Sequence, residues 1–239
     1  LSTSALVTGG INIWNNTVNL FGPISRASAT ADKSSCLHIQ NTAVGLDVRN
    51  NIFVNSIENT TGVAIAFAIS TDATVSPFST INNNAYCASG AEGILGLYGT
   101  TNMTTLAAWQ AATTQDALSL ALCPVFVSNT DLHLTSSATN APLLCSGANL
   151  PLVSSDIDCE TRKITPTIGA DESGLVTASI TVTEASGITS NDGILCSGDM
   201  ATLTASAGVN YIWSNGATTN TITANTTGTY TVTVTDASG

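Results

Sequence analysis

Charge is scarce in this sequence, and positive charge is the scarcest: of 239 residues, 5 are Lys or Arg and 16 are Asp or Glu, for a formal net charge of −11. A surface this acidic repels phosphate backbones and anionic lipid, which excludes nucleic-acid binding. Long apolar runs are missing as well. The run VAIAFAI at 63–69 is far shorter than the roughly 18 residues of a membrane span, so we expect a buried strand there and no membrane insertion.

Aromatic residues make up only 5% of the chain, whereas Thr, Ser, Asn and small residues are abundant. This mixture favours short strands and tight turns over long helices. One segment, MTTLAAWQAATT at 103–114, predicts a short helix. Leu106 and Trp109 share one face of it, and Thr104 or Thr105 can cap its N-terminus.

The six cysteines show no CxxC spacing, and the chain has only two histidines, His38 and His133. Both facts argue against a zinc or redox centre. We expect structural disulfides formed in an oxidising, extracellular compartment, with buried free thiols as the alternative, and the spacing does not fix the pairing. Because neither an initiator Met nor a signal peptide is present, we expect the chain to be a fragment of a longer protein.

Three segments share one pattern: an apolar residue, any residue, two asparagines, any residue and a second apolar residue. They are IWNNTV, VRNNIF and INNNAY, beginning at residues 13, 48 and 81, so the pattern returns after 35 and then after 33 residues. Such a period is typical of a solenoid, and alternating apolar residues without intervening helices predict a β-solenoid. Asn at a sharp bend tolerates a left-handed backbone and can bond to the next coil. A sandwich with Asn-rich turns is the alternative.

The stretch from LAAWQAATTQDALSL to DIDCETRKITPTIGADE, residues 106–172, resembles the C-terminal end of a secreted bacterial family of right-handed parallel β-helix proteins. The resemblance implies an all-β fold, a right-handed parallel β-helix with one short helix, over residues 1–173. It implies no single activity, because lyases, hydrolases and non-enzymatic surface proteins share such folds. The matching positions are Trp109, Asp116, Ser119, Pro124, Phe126, Leu132, Leu134, Gly147, Asp156, Asp158, Arg162, Gly169, Ala170, Asp171 and Glu172.

Two departures from this family's pattern are both to cysteine. Cys145 stands where the family tends to have Asp, and Cys159 where it has Gly, which implies a Cys145–Cys159 disulfide. By the chain-entropy estimate, a closed loop of about 15 residues adds roughly 3 kcal/mol of stability. Cys123 stands where an acidic residue is common, and the same comparison implies that it pairs with Cys87, one coil earlier.

After ADESG the sequence holds no Lys or Arg and alternates Thr with apolar residues. Five short strands are predicted, in SITVTE, MATLTAS, VNYIWS, NTITA and GTYTVTVTDASG, and the Asn-Gly of SNGATTN predicts a hairpin. The segment resembles the immunoglobulin-like or PKD-like modules of bacterial surface proteins, which implies a small β-sandwich over residues 174–239. In such a module Trp213 is the core tryptophan, and Tyr230, Val232 and Val234 face it from the last strand.

The tract DIDCETRKITPTIGADE, at 156–172, gathers seven charged residues in a chain with little charge. It begins like an EF-hand loop, but Thr161 stands where Gly is needed and Thr167 where Glu is needed, so it fails as one. We predict no metal site and no cofactor, although a cruder Ca²⁺ site through Asp156 and Asp158 is left open.

Because the tract closes the predicted coil stack, it has a structural interpretation. We expect Asp156, Asp158, Arg162 and Asp171 to form a polar lid over the open backbone edge of the last coil, stapled through Cys145 and Cys159. Arg162 should then contact one of these carboxylates or a backbone carbonyl.

No catalytic site is predicted. A polysaccharide lyase needs a base and a cation to neutralise a uronate, and the isolated candidates are Arg26, Lys33, His38, Arg49 and His133. A glycosidase needs two facing carboxylates, and nothing in the sequence pairs any two of Asp47, Glu58, Asp72 and Glu92. No GxSxG, HExxH or P-loop pattern occurs.

These observations favour a non-catalytic fragment of a large secreted or cell-surface bacterial protein, adhesin-like or filament-forming. Its expected partners are a carbohydrate, another cell-surface or matrix ligand, or copies of itself. The alternative is a carbohydrate-active β-helix enzyme with a C-terminal accessory module.

Overall fold

The structure is a computed structural model that describes residues 2–3, 10–25, 33–60, 64–172, 179–206, 208 and 210–235. The chain divides into two compact units, Leu1–Ser173 and Gly174–Gly239. This division follows shortly after the last basic residue of the sequence. Among the described residues, no helix has both the length and the apolar character to cross a membrane.

Three stacked coils form the body of the first unit, and each contributes one strand to each of three parallel sheets. Equivalent positions of the repeats lie side by side: Ile13 pairs with Val48, which pairs with Ile81. The predicted β-solenoid is therefore confirmed, and one repeat corresponds to one coil. The strands of these coils are β1 (Ser2–Thr3), β2 (Ile11–Trp14), β3 (Thr17–Ile24), β4 (Lys33–Ile39), β5 (Leu46–Arg49), β6 (Ile52–Asn59), β7 (Ile65–Thr71), β8 (Phe78–Asn82) and β9 (Ala85–Ala88).

Alternate side chains of these strands fill the interior of the stack, because successive residues of a strand point to opposite faces. Phe53, Phe67 and Tyr86 are each at most 1% exposed. Phe53 and Tyr86 occupy equivalent positions of adjacent coils, and their rings stack with centroids 6.1 Å apart. The apolar run at 63–69 contributes to β7, which is buried as predicted.

A hairpin and a helix follow the third coil. β10 (Gly93–Tyr98) continues one sheet in parallel with β7, and β11 (Thr101–Met103) turns back antiparallel onto β10. The predicted helix is α1 (Leu106–Thr113), and the hydroxyl of Thr105 caps its N-terminus. Beyond the helix, β12 (Leu120–Ala121) extends a second sheet beside β9.

Trp109 anchors the helix to the end of the coil stack. It is fully buried and packs against Phe78, Tyr86 and Tyr98, with ring centroids 6.2, 6.3 and 6.1 Å away. Gly96 makes room for the indole, since a Cβ at that position would lie 2.8 Å from the ring. The third coil is therefore covered by the helix and the hairpin that precedes it.

Cys87 and Cys123 form a disulfide with Cα atoms 4.8 Å apart, as the family resemblance implied. The bond links β9 to the segment that follows β12. The two cysteines are 36 residues apart in sequence. For a loop of that length the chain-entropy estimate gives about 4 kcal/mol of stability.

The described part of the second unit contains five strands, as predicted. They form two antiparallel sheets, one in the order β13-β14-β16 and the other of β15 and β17. Both sheets contribute to one apolar cluster that includes Trp213, which is 2% exposed, and Tyr230, Val232 and Val234 pack against it. The strands are β13 (Ile180–Thr183), β14 (Ala201–Ala205), β15 (Asn210–Trp213), β16 (Thr221–Ala224) and β17 (Val232–Thr235).

The hairpin predicted at Asn215 and Gly216 is wrong. A turn is present, and the N–H of Gly216 donates to the carbonyl of Trp213 at 2.9 Å. The strands on either side of it, β15 and β16, belong to different sheets. A type I′ hairpin turn needs a positive φ at both central residues, whereas of these two only Gly216 has one, at 84°. The turn therefore forms an arch between the two sheets.

Candidate functional site

The first asparagine of each repeat turns the chain at one corner of its coil. Asn15, Asn50 and Asn83 have φ values of 52°, 58° and 53°, in the left-handed region that Asn tolerates better than most residues. Each lies between two strands of its coil. The repeated pattern is therefore strand, bend and strand, and the bends stack from coil to coil.

The second asparagine of each repeat bonds to the neighbouring coil. Asn16 Nδ2 lies 2.9 Å from Asn51 Oδ1, and Asn51 Nδ2 lies 2.9 Å from Asn84 Oδ1. The backbone N–H groups of Asn16 and Asn51 donate to the same two oxygens at 3.0 Å. Beyond the third coil Ser119 takes the place of the asparagine, and its Oγ accepts the N–H of Asn84 at 2.7 Å. We call these four residues the asparagine ladder.

The outer sides of the corners are covered by chain that lies beyond β12. The corner asparagine of the third coil donates to the carbonyl of Ser146 at 2.9 Å, and that of the second coil exchanges two hydrogen bonds with Ala148 at 2.8 and 2.7 Å. The asparagine of the first coil donates to the carbonyl of Gly169 at 3.4 Å. Residues 146–172, which we call the return segment, thus run back from the third coil to the first.

Gly169 lets the return segment lie directly on the coils. Its φ is 114°, and a Cβ there would lie 2.6 Å from Ile52 Cδ1 and 2.9 Å from Thr17 Oγ1. Its N–H donates to the carbonyl of Asn50 at 2.9 Å, and the N–H of Ala170 donates to Thr17 Oγ1 at 2.9 Å. Any side chain at 169 would push the segment off the first two coils, which explains the glycine.

These contacts correct the predicted location of the acidic tract. The sequence predicts a lid over the last coil, whereas the tract lies against the first and second coils. The third coil is covered instead by β11 and α1. The prediction failed because the chain reverses direction after β12, so that the end of this sequence tract meets the beginning of the stack.

Arg162 and Glu172 form a buried ion pair, with side chains 5% and 2% exposed and Nη1 3.3 Å from Oε2. Arg162 Nη2 donates to the carbonyls of Gly169 and Ala170 at 3.0 and 2.8 Å, so the carbonyl contact expected of it is made. Its hydrogen-bonded carboxylate is Glu172, not one of the three aspartates predicted for the lid. Glu172 also accepts the N–H of Thr167. Burial lowers the pKa of Arg162 and raises that of Glu172, so each charge depends on the other.

Asp156 organises the loop at the start of the acidic tract. Its Oδ1 accepts the N–H groups of Asp158 and Glu160 at 3.0 and 2.8 Å, and its Oδ2 accepts that of Glu172 at 2.9 Å. Asp side chains commonly stabilise turns in this way. A Ca²⁺ ion bound through Asp156 and Asp158 would have to displace these backbone donors.

The predicted Cys145–Cys159 disulfide is wrong, because both residues are exposed free thiols. Each lies at a left-handed bend, with φ values of 52° and 70°. Asp and Gly, the residues that the resembling family has there, suit such bends, so the two positions share a backbone requirement and not a bond. Cys36 is also unpaired, and burial raises the pKa of its thiol to about 12. Cys196 is an exposed free thiol.

His133 lies between two carboxylates. Its Nε2 is 2.6 Å from Asp158 Oδ2, and its Nδ1 bonds to the carboxylate of Asp131. The hydrogen bonds to Asp131 and Asp158 raise the pKa of His133 to about 9. Asp171, which is buried and accepts the N–H of Leu134 at 3.0 Å, belongs to the same group. We call His133, Asp131, Asp158 and Asp171 the histidine cluster.

The other candidates for lyase or glycosidase chemistry are dispersed. His38 Nδ1 lies 2.8 Å from Ser70 Oγ, and its Nε2 lies 3.2 Å from Asp72 Oδ2. Ser70 is the neighbour of His38 on β7 in the same sheet, and Asp72 directly follows that strand, which fits the structural role predicted for this histidine. The remaining candidates on the described coils are exposed: Lys33, Glu58 and Glu92. Arg26 lies outside the described residues.

Trp14, Arg49 and Asp47 form an outward-facing group on the sheet of β2, β5 and β8. Trp14 and Arg49 are partners in the parallel register, and the guanidinium lies 5.5 Å from the centroid of the indole. Arg49 donates two hydrogen bonds to Asp47, at 2.7 and 2.6 Å, and these raise the pKa of Arg49. All three side chains are half-buried. We call these residues the outer strip.

Asp116 is a buried carboxylate, 1% exposed, at the end of the stack. It accepts hydrogen bonds from the hydroxyl of Tyr86 at 2.6 Å, from Trp109 Nε1 at 2.9 Å and from the hydroxyl of Ser119. Burial raises the pKa of Asp116 in spite of these donors. Asp116 joins α1 to the asparagine ladder, so we assign it a structural role.

Sequence reasoning missed the histidine cluster and the outer strip. Asp131 and His133 are two residues apart, which places both on one side of an extended chain, and this signal was present in the sequence. Trp14 and Arg49 both precede an Asn-Asn pair, so alignment of the repeats would have shown them as neighbours. The approach of Asp158 to His133 depends on the return segment, which no local pattern indicates.

Comparisons with protein-family models, with curated proteins and with solved structures gave no match to this chain. Its class is therefore defined by the fold. The first unit is a parallel β-solenoid of three coils in the described residues, and the second is a small antiparallel β unit.

Proposed function

We propose that this chain is a non-catalytic part of a secreted or cell-surface bacterial protein, in which the β-solenoid serves as a rigid scaffold. The observation that carries the proposal is that buried polar side chains form hydrogen bonds between coils. The asparagine ladder joins the coils to one another, the corner asparagines bind the return segment, and the Arg162–Glu172 pair stabilises that segment internally. The amides of Asn51 and Asn84 are buried and hydrogen-bonded, and a buried network that is satisfied in this way favours rigidity.

The second unit is proposed to be an immunoglobulin-like or PKD-like spacer, and the coil to be right-handed. Two small antiparallel sheets with a shared core support the sandwich, as does the arch at Asn215 and Gly216. The Cys87–Cys123 disulfide supports an oxidising, extracellular location. A β-solenoid scaffold with a spacer module suits a role in adhesion or in matrix assembly.

The proposed ligand is a neutral carbohydrate bound at the outer strip. Trp14 offers an aromatic ring, which suits the C–H faces of a sugar, and Asp47 and Arg49 offer acceptors and donors for its hydroxyl groups. The charge of Arg49 is balanced by Asp47, and the chain carries a net charge of −11. A neutral sugar is therefore favoured over a uronate.

Retention on insoluble polysaccharides tests this proposal. We expect the chain to be retained on a neutral polysaccharide more strongly than on an acidic one, and Trp14→Ala to weaken retention about tenfold, the equivalent of about 1.4 kcal/mol. Thr101→Ala, an exposed change on β11, is the control and should have no effect. Equal retention of the two variants would contradict the assignment of the outer strip. If the chain alone sediments as large assemblies, the ligand is a second copy instead.

The outer strip also supports the alternative function, a carbohydrate-active enzyme. It brings a carboxylate, a cation and an aromatic ring together on an accessible face. Release of product from a retained polysaccharide separates turnover from binding.

A further inference from the structure

Three separate parts of the chain bring metal-ligating side chains to one point. His133 comes from the chain between β12 and the return segment, Asp158 from the loop that Asp156 organises, and Asp171 from the end of the return segment. One ligand atom of each lies within 4.8 Å of those of the other two. Asp171 is 5% exposed, and its Oδ2 accepts the N–H of Leu134, so the position of this carboxylate is fixed by the backbone.

Asp131 orients the imidazole of His133. Its carboxylate bonds to Nδ1, and Nε2 is thereby directed at Asp158 Oδ2, 2.6 Å away. In metal sites, the imidazole nitrogen that does not bind the metal donates to a carboxylate in this way, which fixes the tautomer and makes the other nitrogen a better ligand. A cation between Nε2 and Asp158 would replace the proton that they share.

We infer that His133, Asp158 and Asp171 bind a divalent first-row transition cation, with Asp131 as a positioning residue, and we take Zn²⁺ as the representative ion. One imidazole nitrogen with carboxylate oxygens suits Zn²⁺ and its neighbours in the series. Ca²⁺ and Mg²⁺ prefer oxygen ligands alone. The inference is independent of the proposed function, because none of these residues belongs to the outer strip or the asparagine ladder.

The cluster can adopt metal geometry with small side-chain movements. The ligands of a tetrahedral zinc ion lie about 3.3 Å from one another, so Asp158 Oδ2, which is 2.6 Å from His133 Nε2, has to move slightly away from it. Asp158 is exposed and lies in a turn, where its side chain has room to rotate. A pocket of about 300 Å³, lined by His133 and Asp171 among others, leaves space for a water molecule as the fourth ligand.

Binding would couple His133 to two positions of the return segment. The cation would join the chain around His133 to the Asp156 loop and to the end of the return segment. Because the unfolded chain does not bring these ligands together, binding would stabilise the folded state. The expected effect is a higher midpoint of thermal unfolding in the presence of the ion.

The test is a calorimetric titration of Zn²⁺ into the purified chain, with metal analysis after gel filtration. Exposed thiols bind zinc themselves, so Cys145, Cys159 and Cys196 are first blocked with N-ethylmaleimide. We expect one Zn²⁺ per chain. Ca²⁺ in large excess should not displace it.

Four variants locate the ion. His133→Gln and Asp158→Asn should each weaken the affinity at least tenfold, and Asp131→Asn by about 10–100-fold, as for other residues that orient a metal-bound imidazole. Asp72→Asn is the matched control, because it removes an exposed carboxylate beside the other histidine, His38, and should leave the affinity unchanged.

The inference is overturned if the thiol-blocked chain binds no Zn²⁺. It is also overturned if His133→Gln and Asp158→Asn bind Zn²⁺ as tightly as the parent chain, or if Ca²⁺ displaces the ion. Circular dichroism without metal checks that each variant is folded, and both substituted side chains are accessible enough for the fold to tolerate the change. Asp171 is left unchanged because it is buried.

Discussion

The side chain of Asn51 bonds to three coils at once. It accepts from Asn16 in the first coil, donates to Asn84 in the third and reaches the carbonyls of Ile13 and Arg49. It is wholly buried. An amide suits this position because it combines two donors with an acceptor of two lone pairs, which no other side chain of its size offers.

Removal of this amide tests the asparagine ladder. We expect Asn51→Ala to lower the free energy of unfolding by about 3 kcal/mol or more, because several buried polar groups lose their partners at about 1–3 kcal/mol each. Asn19→Ala is the control: its amide reaches one surface carbonyl, that of Asn129, and its loss should change stability by less than about 0.5 kcal/mol. Urea denaturation measures both variants, and equal losses would contradict the ladder's role.

The titration of His133 reports on the histidine cluster. The pKa of His133 is about 9, against an ordinary value of 6.5, and the same pairing lowers the pKa of Asp131. The ionisable groups that face the imidazole in the cluster are Asp131, Asp158 and Asp171, all acidic. A raised pKa means that the contribution of this group to stability is full below pH 6.5 and is lost as the pH rises through about 9.

Proton NMR of the metal-free chain measures this pKa directly. The variant His38→Gln leaves one histidine signal, which assigns the resonance. We expect a midpoint near pH 9, and a lower one in Asp158→Asn, because that variant lacks one of the two acceptors. A midpoint near the ordinary 6.5 would show that the carboxylates do not hold the imidazole as described.

At the scale of elements, the path of the return segment determines which coils the acidic tract at 156–172 contacts. The segment covers the corner asparagines of all three coils and ends against Thr17. Within the segment, the Arg162–Glu172 ion pair links residues that are ten positions apart. The stability of the segment on the coils should therefore depend on both charges together.

A double-mutant cycle tests this dependence. We expect Arg162→Met and Glu172→Gln each to lower the free energy of unfolding by about 3–5 kcal/mol, because each leaves a buried charge without its partner. The double variant should lose clearly less than the sum. Lys163→Met, a change of the neighbouring exposed cation, serves as control and should cost less than about 0.5 kcal/mol. Strictly additive losses in urea denaturation would contradict the coupling.

Local patterns in the sequence predicted the elements well. The Asn-Asn repeats indicated the coils and their period, and the cap at Thr105 located the helix, because both depend on neighbouring residues. The features that were missed depend on chain reversal. The lid was predicted at the wrong end of the stack, and a disulfide was predicted between Cys145 and Cys159, which are free thiols. Both errors arose because the path of the return segment depends on contacts between distant residues.

At the scale of the whole molecule, the proposed scaffold role depends on the coils that buried amides join, because such networks favour rigidity. Among the described surfaces, the outer strip needs a test that distinguishes binding from catalysis. Its carboxylate, Asp47, and its guanidinium, Arg49, could either bind a sugar or act on it. A structural role for His38 and a binding role for Arg49 both predict that removing either side chain leaves product release unchanged.

The most direct test is therefore product release from polysaccharides. The purified chain is incubated with a panel of neutral and acidic polysaccharides, and reducing ends and unsaturated uronates are quantified over time. We predict that the chain releases no more product than Arg49→Gln or His38→Gln, even from a polysaccharide that it retains. Product release that is abolished in either variant, with the fold intact, would contradict the scaffold role and establish the enzyme.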